Sequence, residues 1–174
     1  LVAVDQAPVQ RPLAHDLARR GWASLNVEYR RIGDGGGWPM TFDDVGAAID
    51  AIDGIPEVDP ARVVALGHSA GGHLALWSAG RPDARVRPAG VVGLAAPSDL
   101  EATADRMVPI LLGGTPEEVP APYAAGNPIR LLPFGVPILL VHGSADTVVS
   151  PRRSREFDAA ARAGISYVLC SNES

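Results

Sequence analysis

The chain alternates between two hydrophobic periods, one typical of strands and one typical of helices. Short aliphatic or alternating runs predict strands over residues 1–4, 23–28, 63–66, 90–95, 136–141 and 165–170. Between them, apolar residues at helical spacing predict helices over residues 12–20, 41–52, 72–80 and 151–163. Elements that alternate in this way predict an α/β fold, with a mostly parallel sheet and helices on both of its faces.

One long stretch, residues 97–135, departs from this alternation. It is rich in proline, which argues against a single long helix, and it is too long for a plain connection between strands. We expect it to lie over the carboxyl ends of the strands as a cap-like wall. With 174 residues, 47% of them apolar, the chain predicts one domain over residues 1–174.

The pentapeptide Gly67-His68-Ser69-Ala70-Gly71 joins a predicted strand to a predicted helix. We call these five residues the elbow. A serine at the apex of such a sharp turn is held clear of the sheet and can act as a nucleophile. Glycine is expected on both sides of it, because a Cβ there would crowd the tight backbone. The main-chain N–H of Ala70, at the start of the helix, is the expected oxyanion donor.

A serine nucleophile needs an acid and a histidine base. Two aspartates follow predicted strands, Asp99 after residues 90–95 and Asp146 after residues 136–141. In α/β sheets the carboxyl ends of the strands gather the site, so both aspartates are candidates for the acid.

The four histidines have different expected roles. We expect His15 on a surface helix, and His68 turned into the fold or toward the pocket wall. His73 is expected to pack or to hydrogen-bond locally, and His142 to brace the loop that carries Asp146. None of the four is predicted to be the base, and no histidine follows His142.

Several segments together resemble a known family. They are Glu28-Tyr29-Arg30-Arg31, Gly35-Gly36-Gly37-Trp38-Pro39 before Thr41-Phe42-Asp43-Asp44-Val45, the elbow with Gly72-His73-Leu74, and Val141-His142-Gly143-Ser144-Ala145-Asp146. The whole chain resembles the esterase and lipase-like α/β-hydrolases, in the bacterial branch with feruloyl-esterase-like and kynurenine-formamidase-like proteins. The resemblance implies the α/β-hydrolase fold and hydrolysis of a small carboxylic ester or aryl formamide through an acyl-enzyme on Ser69. It also implies Asp146 as the triad acid, and no metal or organic cofactor.

The chain departs from that family in two places. Residues 1–4 lead into Asp5-Gln6-Ala7-Pro8, where such enzymes carry a His-Gly-Gly segment, and the triad histidine would follow the closing Ser171-Asn172-Glu173-Ser174. We therefore expect a fold truncated at both ends, and a chain that is almost inactive as given. Two alternatives remain open, a catalytically silent α/β-hydrolase scaffold used for binding and a serine peptidase of the same fold.

Composition and local signals narrow the expected partners. The net charge of −5 leaves no basic footprint for nucleic acid, and no apolar stretch is long enough to cross a membrane. We expect a small-molecule acyl substrate and a cytoplasmic location. Three local predictions concern single features: a flexible site-rim loop at 35–37, core or pocket-wall positions for Trp38 and Trp77, and a buried thiol at Cys170.

Overall fold

Six parallel strands form one sheet in the order β2-β1-β3-β4-β5-β6. The computed structural model describes residues 2–4, 7–103, 105–161 and 165–170. The strands are β1 Val2–Val4, β2 Leu25–Val27, β3 Val64–His68, β4 Gly90–Leu94, β5 Ile138–Gly143 and β6 Ile165–Cys170. The predicted α/β fold with a parallel sheet is confirmed. The sequence noted at residues 5–6 and 171–174 lies outside the described residues.

Six α-helices accompany the sheet. They are α1 Ala7–Arg19, α2 Met40–Asp50, α3 Ala70–Gly80, α4 Met107–Leu112, α5 Pro120–Gly126 and α6 Arg152–Ala161. Short 3₁₀ turns cover Ala51–Gly54, Pro60–Arg62 and Pro128–Leu131. The predicted helix over 151–163 corresponds to α6, although residues 162 and 163 lie outside the described residues.

Two predicted helix starts are wrong. Helix α1 begins before residue 12, so Pro12 lies inside the helix and does not open it. Helix α2 begins at Met40, and its N-cap residue Pro39 makes no side-chain cap. The Thr41 hydroxyl does not cap the helix, because it accepts the Gly37 N–H at 2.9 Å and donates to the Arg30 carbonyl at 2.7 Å.

Helix α3 lies at the centre of the core. Its residues Gly71 to Ala79 are all buried, and its sequence is apolar around the whole circumference, as expected of a helix with no solvent face. It contacts β3 and β4 directly and packs on α2, where Phe42, Val45 and Ile49 are buried. The predicted core position of Trp77 is confirmed, and its indole N–H donates to the Ala125 carbonyl at 3.0 Å.

The register of the central strands aligns their carboxyl ends at one edge of the sheet. His68 of β3 pairs with Leu94 of β4, and Leu94 pairs with Val141 of β5. The residues that follow these three strands therefore begin from the same edge. This alignment brings the elbow and the loop after β5 into one neighbourhood.

Segment 97–135 contains α4, α5 and the 3₁₀ turn Pro128–Leu131. The buried Asn127 fixes its two halves to each other, since its side-chain oxygen accepts the Leu100 N–H at 3.0 Å. The Leu111 carbonyl accepts the Trp38 N–H at 2.6 Å, so the segment is also tied to the start of α2. These contacts hold α4 beside the carboxyl ends of the central strands.

The predicted burial of Cys170 is wrong, because this thiol is exposed at the end of the edge strand β6. An edge strand has a neighbour on one side only, so its last residue is poorly covered. Within the described residues, no helix combines the length and apolar character that crossing a membrane requires.

Candidate active site

Ser69 has a strained backbone at the junction of β3 and α3. Its φ of 52° and ψ of −121° lie in a region that residues with a side chain rarely adopt. Two hydrogen bonds hold it there. The Ser69 N–H donates to the Leu94 carbonyl at 2.9 Å, and the His73 N–H donates to the Ser69 carbonyl at 3.0 Å. Strain of this kind persists where the surroundings enforce it, and it is concentrated at functional sites.

The elbow closes so tightly that one position can only be glycine. A Cβ on Gly67 would lie 2.1 Å from the Gly71 carbonyl oxygen and 2.2 Å from its carbon. Both contacts are with backbone, so no rotamer change would relieve them. Gly72 is also constrained, because a Cβ there would lie 2.9 Å from the Ala96 Cβ. The geometry thus explains why a glycine is required two residues before the serine, as predicted.

Ser69 opens onto a pocket of about 580 Å³. Its lining comes from the elbow residues 68–70, from His73 and Leu74 of α3, from residues between 29 and 41, from residues between 97 and 111, and from Val148 and Val149. The side chains of α4 and the two valines make one side of it predominantly apolar. The sequence did not single out these apolar residues, since their approach to Ser69 depends on how segment 97–135 folds back.

Ala70 is the first residue of α3, and it lines the same pocket. The N–H groups of a helix's first turn have no acceptor within the helix. They also lie at the positive end of the helix dipole, which favours a developing negative charge. The structure therefore puts the predicted oxyanion donor next to Ser69 at a helix N-terminus.

Asp146 lies in the turn after β5, and its carboxylate is held by the backbone that follows it. Its Oδ1 accepts the N–H groups of Val148 at 2.8 Å and Val149 at 3.0 Å. Partial burial acts to raise the pKa of Asp146, but these two hydrogen bonds and the charges of His142 and His68 together lower it. Val148 and Val149, whose N–H groups bind this carboxylate, line the same pocket as His68 and Ser69, so Asp146 lies near the elbow.

The rival aspartate, Asp99, interacts with a different part of the molecule. Its Oδ1 accepts the Asn127 side-chain N–H at 3.0 Å and the Glu101 N–H at 3.1 Å. Its charge also contributes to raising the pKa of Arg130, after the larger effects of Glu101. Asp99 is therefore engaged with segment 97–135, whereas Asp146 is close to the elbow.

Two of the four histidines are buried. His73 is 2% exposed and packs edge-on against Phe42, with the ring centres 5.6 Å apart. Of the two expected roles, packing is therefore confirmed, whereas the hydrogen bond is not local: Nε2 donates to the Gly126 carbonyl at 2.9 Å, a partner 53 residues away. Burial lowers the pKa of His73 to about 4 despite that bond, so the ring is neutral at pH 7.

His142 is 1% exposed, and both of its ring nitrogens have partners. Nε2 donates to the Val149 carbonyl at 2.9 Å and lies 3.4 Å from Asp146 Oδ2, as expected of a residue that braces the acid loop. His68 lines the pocket beside Ser69, and His15 is exposed on α1. The structure thus brings His68, His73 and His142 near the site, whereas His15 lies elsewhere in the fold.

The three glycines at 35–37 form a compact turn. The Gly36 N–H donates to the Arg31 carbonyl at 2.9 Å, and a Cβ on Gly36 would lie 2.2 Å from the Arg30 carbonyl oxygen. Among the described residues, Arg31 and Ile32 of this region line the pocket and the glycines do not. The prediction of a flexible loop at the rim of the site is therefore corrected. Residues 35–37 form a closed turn, and it is the neighbouring Arg31 and Ile32 that line the pocket. Trp38 packs edge-on against Phe42 with the ring centres 4.8 Å apart, a core contact as predicted.

A comparison of the sequence with models of protein families shows to which family the chain belongs. The model of the BD-FAE family matches residues 3–160. The chain belongs to the BD-FAE family. This match contains the elbow, the candidate acid Asp146 and all of segment 97–135.

Similar sequences include uncharacterized protein YfhR of Salmonella typhi, which is 30% identical over 162 residues. YfhR of Escherichia coli K12 is 29% identical over 154 residues. Both alignments cover 87% of this BD-FAE chain, but only 54% and 52% of the relatives. The chain thus spans about half the length of these curated relatives.

Solved structures with the same fold include several esterases. A truncated carbohydrate esterase from gut microbiota superposes with a TM-score of 0.85 at 20% identity, covering 98% of this chain and 75% of that one. Esterase 2 of Thermogutta terrifontis gives a TM-score of 0.80 at 22% identity, covering 98% and 69%. These similarities establish the α/β-hydrolase fold of this BD-FAE chain, as the sequence resemblance implied.

Proposed function

We propose that the chain carries the nucleophile and acid of a carboxylic-ester hydrolase, with Ser69 as nucleophile. The observation that carries this proposal is the strained Ser69, which lines a mainly apolar pocket, with the Ala70 N–H beside it. The family membership and the esterases among the structural neighbours support the same reaction class. The substrate is a small acyl ester or aryl formamide, since the pocket of about 580 Å³ suits a small molecule.

In the proposed reaction, Ser69 Oγ attacks the acyl carbonyl carbon and loses its proton to a histidine base. The carbonyl oxygen becomes an oxyanion and accepts a hydrogen bond from the Ala70 N–H. The bond to the alcohol or amine then breaks, and the base returns its proton to that leaving group. Water hydrolyses the acyl-enzyme by the same steps and regenerates Ser69. Asp146 orients the base, since it lies near the elbow and its Oδ2 has no strong hydrogen bond among the described residues.

The four histidines of this chain all lie within the described residues, and none has the geometry of that base. His73 is buried, His142 uses both nitrogens, and His15 lies on α1. His68 directly precedes the nucleophile on one tight turn, which is unfavourable for reaching Ser69 Oγ. Loss of a triad histidine costs about six decades of turnover, or roughly 8 kcal/mol at about 1.36 kcal/mol per decade. We therefore expect this chain alone to be almost inactive.

A fluorophosphonate probe and an ester substrate test the proposal. The chain is compared with a version extended to the length of its YfhR relatives. We expect the extended version to be labelled at Ser69 and to hydrolyse p-nitrophenyl acetate, and Ser69→Ala to lose both activities. Ser144→Ala is the matched control, because Ser144 is an exposed serine in the loop after β5. Labelling of Ser69→Ala, or labelling at Ser98 or Ser144, would contradict the assignment.

The extended version also distinguishes the two aspartates. Asp146→Asn should lower kcat by about 10⁴, the loss seen when a triad acid is replaced by its amide. Asp99→Asn should change kcat far less, since Asp99 contacts Asn127 and the backbone of its own loop. The opposite order would make Asp99 the acid. Turnover by the 174-residue chain that equals that of the extended version would make one of its own histidines the base.

A second candidate function is a catalytically silent scaffold that binds acyl compounds. The arrangement of the four histidines favours it, because none is placed as a base. The same assay separates the two functions: a silent scaffold would bind the ester without turnover even in the extended version.

A further inference from the structure

Two buried polar side chains, those of Ser154 and His142, link α6 to the proposed acid. Ser154 on α6 is 1% exposed, and its Oγ lies 2.7 Å from His142 Nδ1. On the other side of the ring, Nε2 lies 2.9 Å from the Val149 carbonyl oxygen and 3.4 Å from Asp146 Oδ2. The sequence analysis did not single out Ser154, which no motif marks.

These contacts determine where the protons lie. A carbonyl oxygen can only accept, so Nε2 must carry the hydrogen that it donates to Val149. In the neutral ring Nδ1 is then an acceptor, and the Ser154 hydroxyl donates to it. The Nε2–H group therefore also faces Asp146 Oδ2. At 3.4 Å this is an electrostatic contact and too long for a full hydrogen bond.

The same loop is held from both sides. The Val149 N–H donates to Asp146 Oδ1 at 3.0 Å, while the Val149 carbonyl accepts from His142. Val149 also lines the pocket. Rotation of the His142 ring would therefore disturb the carboxylate and one wall of the pocket together.

We propose that Ser154 and His142 are positioning residues that fix the Asp146 carboxylate for catalysis, a role that rests on the proposed function. The Ser154 hydroxyl fixes the Nε2–H form of His142, and this N–H fixes the Val149 carbonyl and faces Oδ2. The positions of Asp146 Oδ1 and Oδ2 are thereby set before the carboxylate accepts a hydrogen bond from the histidine base. If Ser154 lost its hydroxyl, a change to the Nδ1–H tautomer would turn the Nε2 lone pair toward the Val149 carbonyl and Asp146 Oδ2, and both oxygens would be repelled.

We call the set of contacts from Ser154 through His142 to Asp146 the relay. Two NMR measurements on the 174-residue chain test it without any measurement of catalytic activity. The ¹⁵N pattern of the His142 ring should be that of the Nε2–H form in wild type. The ¹³C titration of the Asp146 carboxyl, assigned with Asp146→Asn, should shift to higher pH in Ser154→Ala. His68 is the other titrating group that acts on Asp146, so the titration is repeated in His68→Asn.

Ser78→Ala is the matched control. Ser78 is also a fully buried helix serine, but its hydroxyl donates to the Ala75 carbonyl of its own helix. If the role of Ser154 were merely structural, Ser154→Ala would lower stability, as is expected of Ser78→Ala, and would leave the Asp146 titration unchanged. Ser154→Thr keeps the hydroxyl and should restore the wild-type titration. An Nδ1–H ring in wild type, or equal Asp146 titrations in wild type and Ser154→Ala, would overturn the relay.

The kinetic measurement uses the extended, active version. Ser154→Ala should lower kcat about tenfold with little change in KM, since misplacement of a catalytic group acts on the chemical step. Equal kcat values would overturn the relay even if the NMR shifts occurred. Failure of the proposed function is distinguishable, because it would show as absent Ser69 labelling in the wild-type extended version.

Discussion

Protonation of His73 should destabilise the fold in mild acid. The folded pKa is about 4 because the ring is buried, against 6.5 in the unfolded chain. A lowered histidine pKa means that the unfolded chain binds more protons between these two values. The stability contributed by neutral His73 is therefore complete above pH 6.5 and is lost as the pH falls toward 4.

The size of this stability loss follows from the difference between the unfolded and folded pKa values of His73. About 2.5 pKa units at about 1.36 kcal/mol each correspond to roughly 3 kcal/mol in the free energy of unfolding. Most of this is lost between pH 7 and pH 4, and about 2 kcal/mol of it by pH 5. A loss of this size is a substantial fraction of the stability of a typical domain, which is about 5–15 kcal/mol.

The assay is urea unfolding at pH 7, 5 and 4, for wild type, His73→Gln and His15→Gln. His73→Gln removes the titrating group, and the free energy of unfolding of this variant should fall about 3 kcal/mol less than that of wild type over this range. His15→Gln removes an exposed histidine on α1 and should follow wild type. If His73→Gln lost stability with pH as steeply as wild type, the acid sensitivity would not come from His73.

Two further predictions concern the elbow and the pocket. Gly67→Ala should cost more than about 3 kcal/mol in urea unfolding, because its Cβ would overlap the Gly71 backbone, whereas Gly143→Ala, where a Cβ meets nothing within 4 Å, should change stability by less than about 1 kcal/mol. Equal costs would show that the elbow relaxes around the added methyl. In the extended version, Met107→Ala should lower kcat/KM for p-nitrophenyl hexanoate about fivefold relative to the acetate, because Met107 lines the pocket. Ile110→Ala, on the same helix, exposed and outside the lining, should leave that ratio unchanged, and equal effects of the two variants would contradict the proposed acyl contact.

Local sequence determined the elements and the elbow. Apolar runs are short-range signals, so the strands β3 to β6 and helices α3 and α6 could be predicted with small errors at their ends. The elbow could also be predicted, because the need for glycine at position 67 arises from backbone only four residues away. The start of α1 and the role of Thr41 were wrong, since proline and threonine are common helix starters and tertiary contacts decided otherwise.

Only the tertiary structure determined how the histidines and the pocket are used. His73 bonds to Gly126, 53 residues away, and the burial around the ring lowers its pKa despite this bond. The link from Ser154 to His142 joins a helix to a strand, and the apolar wall of α4 reaches Ser69 only after segment 97–135 folds back. Cys170 has an apolar sequence context but lies at the open edge of the sheet. Each of these depends on packing between distant segments, which hydrophobic periodicity along the chain does not encode.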